Sequence, residues 1–431
     1  MIIWLLAGFY ALMLYRPREI WDFFAVHQIG EFEVVQAYMI LVGIVWWFGL
    51  ISEGKRPLGN IFTLGLFLVM LSMTASVLNS PYTNIFTNRP YYMWIGFTIF
   101  YIFLMTSVKT ERDLKIVVTG LIIAFFLFMG DSFRHFLLGT AVRRGIGFEA
   151  GIMGFAGQNA NAVGMIAALA LPFVIPMLAL CKKFWHYLFV LGYALLALRV
   201  LMLTGSRTSF VMVVALLFFV AAFSRNRLKL LPLLLVVGMV GWVVIPNDIR
   251  NRYRTIWQED VEEMSAAHVR IAQGTDRGLG RAINLENWSN YPIFGVGPGR
   301  CGVARGLPDQ ARYRAHSLYS QITGERGTVG TLAFLFLLLC FCINHHNIWK
   351  NYKYLQEKKL AQEGRYCWCV SVGVMYAILL LLIQGVAEDN GHSEFWLWLG
   401  AFQALAAMFM QEKVADAKQG KLVPEMPSMK G

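Results

Sequence analysis

Long apolar runs recur from one end of this chain to the other, and the charged residues stand between them as punctuation. Twelve runs are predicted to be membrane-spanning helices: residues 1–15, 34–51, 61–78, 91–108, 115–130, 159–181, 185–204, 207–223, 228–246, 317–343, 368–385 and 394–410. A helix needs about 20 apolar residues to cross a hydrocarbon layer of roughly 30 Å. The first run lacks a charged leader and a small-residue cleavage site, so it reads as a retained span and not as a removed signal. The longest polar gap is 247–316. Within it, Asp248–Ala272 places Tyr253, Ile256, Trp257 and Val261 on one face, which predicts an amphipathic helix lying on the membrane. A second helix is expected over Arg277–Trp288, stopped by Asn290-Tyr291-Pro292. Gly295-Val296-Gly297-Pro298-Gly299 reads as a turn, because no strand precedes it and no βαβ pattern surrounds it as a dinucleotide loop requires. The tail after Glu412 is polar and is expected to be disordered.

The fold class expected is therefore all-α: a polytopic membrane protein of about twelve transmembrane helices with one large, partly helical outer loop. Its organisation would be helices one to nine over 1–246, the loop over 247–316, helices ten to twelve over 317–410 and a tail over 411–431. Charge orients this arrangement. With the N-terminus in the cytoplasm, none of the 14 lysines falls on the outer side, whereas 17 of the 24 arginines do. Both residue types hold a loop on the cytoplasmic side, so arginines kept outside need another reason. The guanidinium is a planar fork that binds phosphate oxygens in pairs and stays charged. The outer loop alone holds ten arginines, eight carboxylates and no lysine. Hydrophobic residues make up 57% of the 431-residue chain and charged residues 15%. The net charge of +12 does not point to nucleic acid, since the cytoplasmic basic residues sit in short loops as topology determinants. Among six cysteines, Cys301 is the one expected to face outward, so no disulfide framework is expected.

Four outward features carry candidate chemistry. Gly205-Ser206-Arg207-Thr208 is a tight reversal that would pin Arg207 near the membrane surface, where a lipid-linked phosphate lies; snorkelling to the interface is the plainer alternative. Arg277 and Arg281 stand four apart and share a helical face, which is either a phosphate-binding pair or a solvated face balanced by Asp276 and Glu286. His316 sits at the mouth of the tenth run, where the helix dipole and nearby arginines favour the neutral imidazole that a general base needs; an ordinary interfacial histidine is the alternative. Asn159 and Asn161 open the sixth run after Arg143 and Arg144, either to cap the helix or to meet polar substrate groups. Arg300 is a further phosphate candidate. Arg199, Glu325 and Arg326 lie inside runs, where charge is costly and marks either function or a structural bridge. Glu325 is kept as a candidate substrate contact, while Arg326 is read as a bridge. Cys340, Cys342, His345, His346, Cys367 and Cys369 lack the spacing of a known zinc motif, and Glu388-Asp389 are adjacent and point apart, so no metal is expected.

Together these motifs resemble the O-antigen ligase and polymerase superfamily. The resemblance rests on Arg281-x3-Leu285, His316-x10-Gly327, the Gly205-Ser206-Arg207 turn and the Pro292-Ile293-Phe294-Gly295-Val296-Gly297 run, with a large loop late in a chain of about twelve spans. It covers most of runs six to ten. One departure is His316-Ser317 where the family commonly has His-Asn. The resemblance implies a GT-C-like glycosyltransferase in the bacterial inner membrane, with its site facing the periplasm and both termini in the cytoplasm. It implies an undecaprenyl-diphosphate-linked glycan as donor, lipid A-core or another glycan or protein as acceptor, and no metal or cofactor. Arg207, Arg281 and His316 would be the essential residues. A polymerase of lipid-linked repeat units is the alternative within the class. A transporter for the same lipid is the alternative outside it, disfavoured because internal repeats are not evident and the outer loop carries a histidine at its base.

Overall fold

The computed structural model describes residues 1–15, 34–52, 58–83, 85, 88–138, 142–144, 147–149, 160–223, 250, 275–305, 316–388, 390–391 and 393–422. Its helices are α1 (Ile2–Tyr15), α2 (Val34–Ser52), α3 (Ile61–Asn79), α4 (Arg89–Ser107), α5 (Glu111–Leu137), α6 (Ala160–Ala170), α7 (Val174–Leu180), α8 (Phe184–Thr204), α9 (Arg207–Phe223), α10 (Thr275–Asn290), α11 (Leu318–Glu357), α12 (Ala361–Gln384) and α13 (Phe395–Lys418). Short 3₁₀ turns lie at Leu171–Phe173 and Val303–Arg305.

Eleven of the twelve predicted runs coincide with these helices, α6 and α7 forming one run joined through the 3₁₀ turn that contains Pro172. The ninth run, 228–246, and the surface helix expected over Asp248–Ala272 lie outside the described residues. Among the described residues, six helices are long and apolar enough to cross a membrane: Ile61–Asn79, Glu111–Leu137, Asn161–Leu180, Phe184–Thr204, Leu318–Glu357 and Ala361–Gln384. Three shorter apolar helices accompany them, over Ile2–Leu14, Tyr38–Gly49 and Arg207–Ala222. Among the described residues these six are the helices that meet a spanning length and hydropathy, so the expected count of about twelve is not reached by them alone. In α4 and α13 the tyrosines, tryptophans and polar ends dilute the apolar stretch.

Two further corrections follow. The tail expected to be disordered after Glu412 continues as helix α13 to Lys418, and 423–431 lie outside the described residues. The all-α expectation meets one departure among the described residues, an antiparallel pair of strands β1 (Val142–Arg144) and β2 (Gly147–Glu149), with Arg143 opposite Phe148.

The chain divides into two units. One comprises Met1–Ser52, Lys115–Glu263 and Leu379–Gln384. Here α1 receives α5 so closely that a β-carbon on Gly120 would lie 2.7 Å from that of Ala7. The Tyr38 hydroxyl of α2 donates to Leu5 O (2.6 Å). In the same unit Gly164 of α6 lets Ser209 of α9 approach, and Tyr193 of α8 donates to Ala170 O (3.2 Å).

The other unit comprises Glu53–Leu114, Met264–Ile378 and Gly385–Gly431. Its core is aromatic: Trp94, Phe100, Trp396 and Trp398 are fully buried, and the Phe62 ring fills the space left by Gly400. The outward face of α3 is as apolar as its core, with Leu64, Phe67, Leu71 and Leu78 all exposed. A helix apolar all round suits a lipid surrounding. Where α5, α12 and α13 meet at their ends, Lys413 binds Glu111 Oε2 (2.6 Å) and lies 3.6 Å from Glu363 Oε2.

α11 is broken at Gly327, which takes φ 64° and ψ −162°. A break frees backbone groups that lipid cannot satisfy. The Pro292–Gly297 turn satisfies them. Val296 N donates to Gly324 O (3.1 Å) and Gly297 N to Glu325 O (2.9 Å), while Thr328 N and Val329 N donate to Pro292 O (2.8 Å) and Ile293 O (3.2 Å). Ser76 of α3 adds a hydroxyl bond to Glu325 O (2.7 Å). The two glycine-bearing motifs singled out in the sequence are therefore halves of one structure.

Candidate active site

α10 forms where the second loop helix was expected and ends before Tyr291-Pro292. It packs on α11 through Asn284, whose Nδ2 donates to Gly280 O (2.7 Å) and whose Oδ1 meets the Cys301 thiol. Gly324 of α11 is required there, because a β-carbon would lie 2.6 Å from Asn284 Oδ1. Asn287 donates to Cys301 O (3.1 Å). The Tyr82 and Tyr291 hydroxyls share a bond of 2.7 Å, which pushes the Tyr82 phenol above its ordinary value. This packing holds Arg281 against the start of α11.

Arg281 Nη2 donates to Val386 O (2.5 Å) and to His316 O (3.4 Å). Its Nε is buried and without a hydrogen-bond partner among the described residues. His316 itself takes φ 45°, a left-handed conformation that a residue with a β-carbon adopts only under constraint. It immediately precedes Ser317, the N-cap of α11, whose side chain makes no cap bond. Instead Leu318 N donates to Gly385 O (2.7 Å), in the turn that follows α12. His316 Nδ1 lies 3.9 Å from Glu388 Oε2.

Arg281 and His316, 35 residues apart, are thus brought together. Arg277 lies one turn earlier on α10. Arg300 is half-buried in the turn after Gly297, its amide bonded to Gly297 O (3.2 Å). Glu325 is buried and lies 3.7 Å from the Cys301 sulfur. Arg326 is fully buried, donating to Gly391 O (3.0 Å) with its guanidinium 5.3 Å from the Trp94 ring centroid, which is the bridging role expected of it. Cys301 is buried at 5% exposure, so its thiol is closed off by the surrounding protein. An apolar groove of about 490 Å³ runs beside Phe294, lined by Leu71, Ala75, Val329, Leu332 and Phe336 among others.

In the other unit, Gly205 closes α8 in the left-handed conformation (φ 60°), and Arg207 opens α9 with its side chain exposed. Ser206 Oγ donates to Asn161 Oδ1 (2.7 Å), so one of the sequence's asparagines fastens the Arg207 turn to α6. Arg199 lies 6.0 Å from the Phe136 ring. Arg143 and Arg144 lie on β1, and Asn159 lies outside the described residues. The cysteine and histidine group around the second half of α11 has local partners: Cys340 donates to Ile61 O (3.3 Å), His345 bonds Ser371 (2.8 Å) and stacks on Trp368. Glu388 was weighed in the sequence only as half of a metal pair. The signal that could have found it is its place in an outer link, on the same predicted side as His316.

A multi-pass helical membrane protein whose arginine and histidine meet at the start of a broken helix is the class these observations define. Residues 191–335, about a third of the chain, match the family model described as O-antigen ligase, so this stretch is similar to that family. The matched stretch includes Arg207, Arg281, His316 and Gly327. A search of curated proteins finds no match.

Proposed function

We propose that this protein transfers a glycan from a polyprenyl diphosphate, undecaprenyl diphosphate in a bacterial inner membrane, to an acceptor hydroxyl on the periplasmic side. The observation that carries the reading is the seating of His316 beside Arg281 within the family-matched segment. The acceptor oxygen attacks the anomeric carbon as its proton passes to His316, and the bond to the diphosphate oxygen breaks on the opposite face. Configuration at that carbon inverts. Negative charge grows on the leaving diphosphate, and fixed guanidiniums stabilise it without reorganising, the electrostatic contribution usually largest in catalysis. Arg207, Arg281, Arg277 and Arg300 are assigned to the diphosphate, and Asn159, Asn161, Arg143, Arg144 and Glu325 to polar substrate contacts. His316 is the general base.

The acceptor is taken to be lipid A-core or a related glycan or protein, which makes the activity a ligase. The family match does not separate ligase from polymerase roles, so the same site serves a second reading in which the acceptor is another lipid-linked repeat unit. Reconstitution separates them. Purified protein given lipid-linked repeat units alone yields a chain-length ladder if it is a polymerase. A ligase transfers only when a second acceptor is supplied, and no transfer under either condition overturns both readings.

A further inference from the structure

We propose that Glu388 is the positioning residue for His316, holding the imidazole in the tautomer and orientation that general-base catalysis requires. This rests on the reading of His316 as the base. The turn after α12 touches the candidate site at three places in succession. Gly385 O accepts the first amide of α11 from Leu318, Val386 O accepts Arg281 Nη2, and Glu388 Oε2 faces His316 Nδ1 at 3.9 Å. The turn is clasped further along, where Gly391 N donates to Gln321 Oε1 (3.0 Å) and Arg326 donates to Gly391 O. Glu388 is thus carried by a segment bonded repeatedly to the helix that His316 precedes.

The ring environment selects its roles. Nδ1 is buried and makes no hydrogen bond among the described residues, although the side chain keeps 21% exposure. A buried ring nitrogen needs a polar partner, and the Glu388 carboxylate, itself only 12% exposed, is in reach after a small closure. Base-to-orienter hydrogen bonds are often long in the free enzyme and tighten when substrate binds. With the proton on Nδ1 directed to Glu388, Nε2 keeps its lone pair for an acceptor hydroxyl. As Nε2 takes the acceptor proton, the carboxylate stabilises the imidazolium that forms. The Arg281 bond to His316 O fixes the backbone of the same residue, so side chain and main chain are held by separate groups.

The test compares Glu388→Gln, Glu388→Ala, Glu388→Asp, His316→Ala and the double variant His316→Ala/Glu388→Gln, all purified and checked for native melting. Expected are a kcat lowered about 10²-fold in Glu388→Gln and Glu388→Ala, in the range of a lost acid–base contribution, a donor KM within about threefold, and partial recovery in Glu388→Asp. The double variant should be no slower than His316→Ala alone. A Glu388→Gln enzyme with normal kcat, or a double variant in which the two losses multiply, overturns the positioning role while leaving His316 as base. A normal kcat in His316→Ala overturns the underlying reading instead. Should Glu388→Ala fail to fold, the near-isosteric Gln variant decides.

Discussion

Gly327 and Ile293 interlock: a β-carbon built on Gly327 would lie 2.4 Å from Ile293 O, in the space where the turn plugs the broken helix. Two separate requirements therefore fall on one residue. Its φ/ψ lies in a region essentially reserved for glycine, costing other residues roughly 1–3 kcal/mol, and its missing side chain admits a carbonyl. Because His316 precedes the same helix, the plug also sets where the candidate base stands.

Gly327→Ala is expected to destabilise the protein by about 3 kcal/mol or more, the strain and the clash acting together. Gly192→Ala is the control, since a β-carbon there meets nothing within 4 Å. Thermal unfolding in detergent should show a large fall for the first and a change under about 1 kcal/mol for the second. Equal melting of the two variants would show that the plug does not constrain Gly327.

Arg281→Lys is expected to lose nearly as much turnover as Arg281→Ala. A lysine keeps the charge but loses the planar guanidinium whose Nη2 reaches Val386 O and His316 O. The cost expected is on the order of 2–4 kcal/mol of transition-state stabilisation, a rate loss of about 30- to 1,000-fold. Arg207→Lys should behave alike, whereas His316→Ala should bind donor normally. Paired binding and turnover assays on the three variants read this out. Near-normal turnover in either lysine variant would remove the phosphate assignment for that arginine.

The side of the membrane is tested with a cysteine placed for the purpose, because Cys301 is buried. Ser289, near the end of α10, is exposed. In a Cys301→Ser background, Ser289→Cys should react with a membrane-impermeant maleimide in intact spheroplasts. Labelling only after lysis would invert the topology drawn from lysine placement.

Burial alone would lower the Lys413 ammonium, yet the Glu111 carboxylate outweighs it and holds the group above its ordinary value. A raised lysine contributes stability that is fully present below the unfolded value, about 10.4, and is lost as pH rises through the higher folded value. Lys413→Met should therefore cost about 1.5–3 kcal/mol, as for a lost charged hydrogen bond, with a penalty constant between pH 7 and 9. The gap between variant and parent should close only in strongly alkaline buffer. A gap that already closes by pH 9 would contradict the ion-pair account.

Much of this architecture was legible along the chain because lipid imposes a one-dimensional rule. A spanning helix must be apolar over its own length, so α3, α5, α8, α11 and α12 announce themselves residue by residue. α10 was legible for a different local reason, the stop written by Tyr291-Pro292. The pairing of Arg281 with His316 was suggested by motif, but the carbonyls that Arg281 binds have no sequence signature, since every residue carries one.

What the sequence determined by itself is where apolar helices start and stop, and which residues are candidates for phosphate and proton handling. Only the tertiary structure decided that the Pro292–Gly297 run fills the break at Gly327, that Asn161 fastens the Arg207 turn, and that Glu388 stands beside His316. The physical reason is the same in all three. Each joins residues tens of positions apart through hydrogen bonds or charge across packed helices, and such pairings depend on how helices are brought together, which the hydropathy of neither partner encodes.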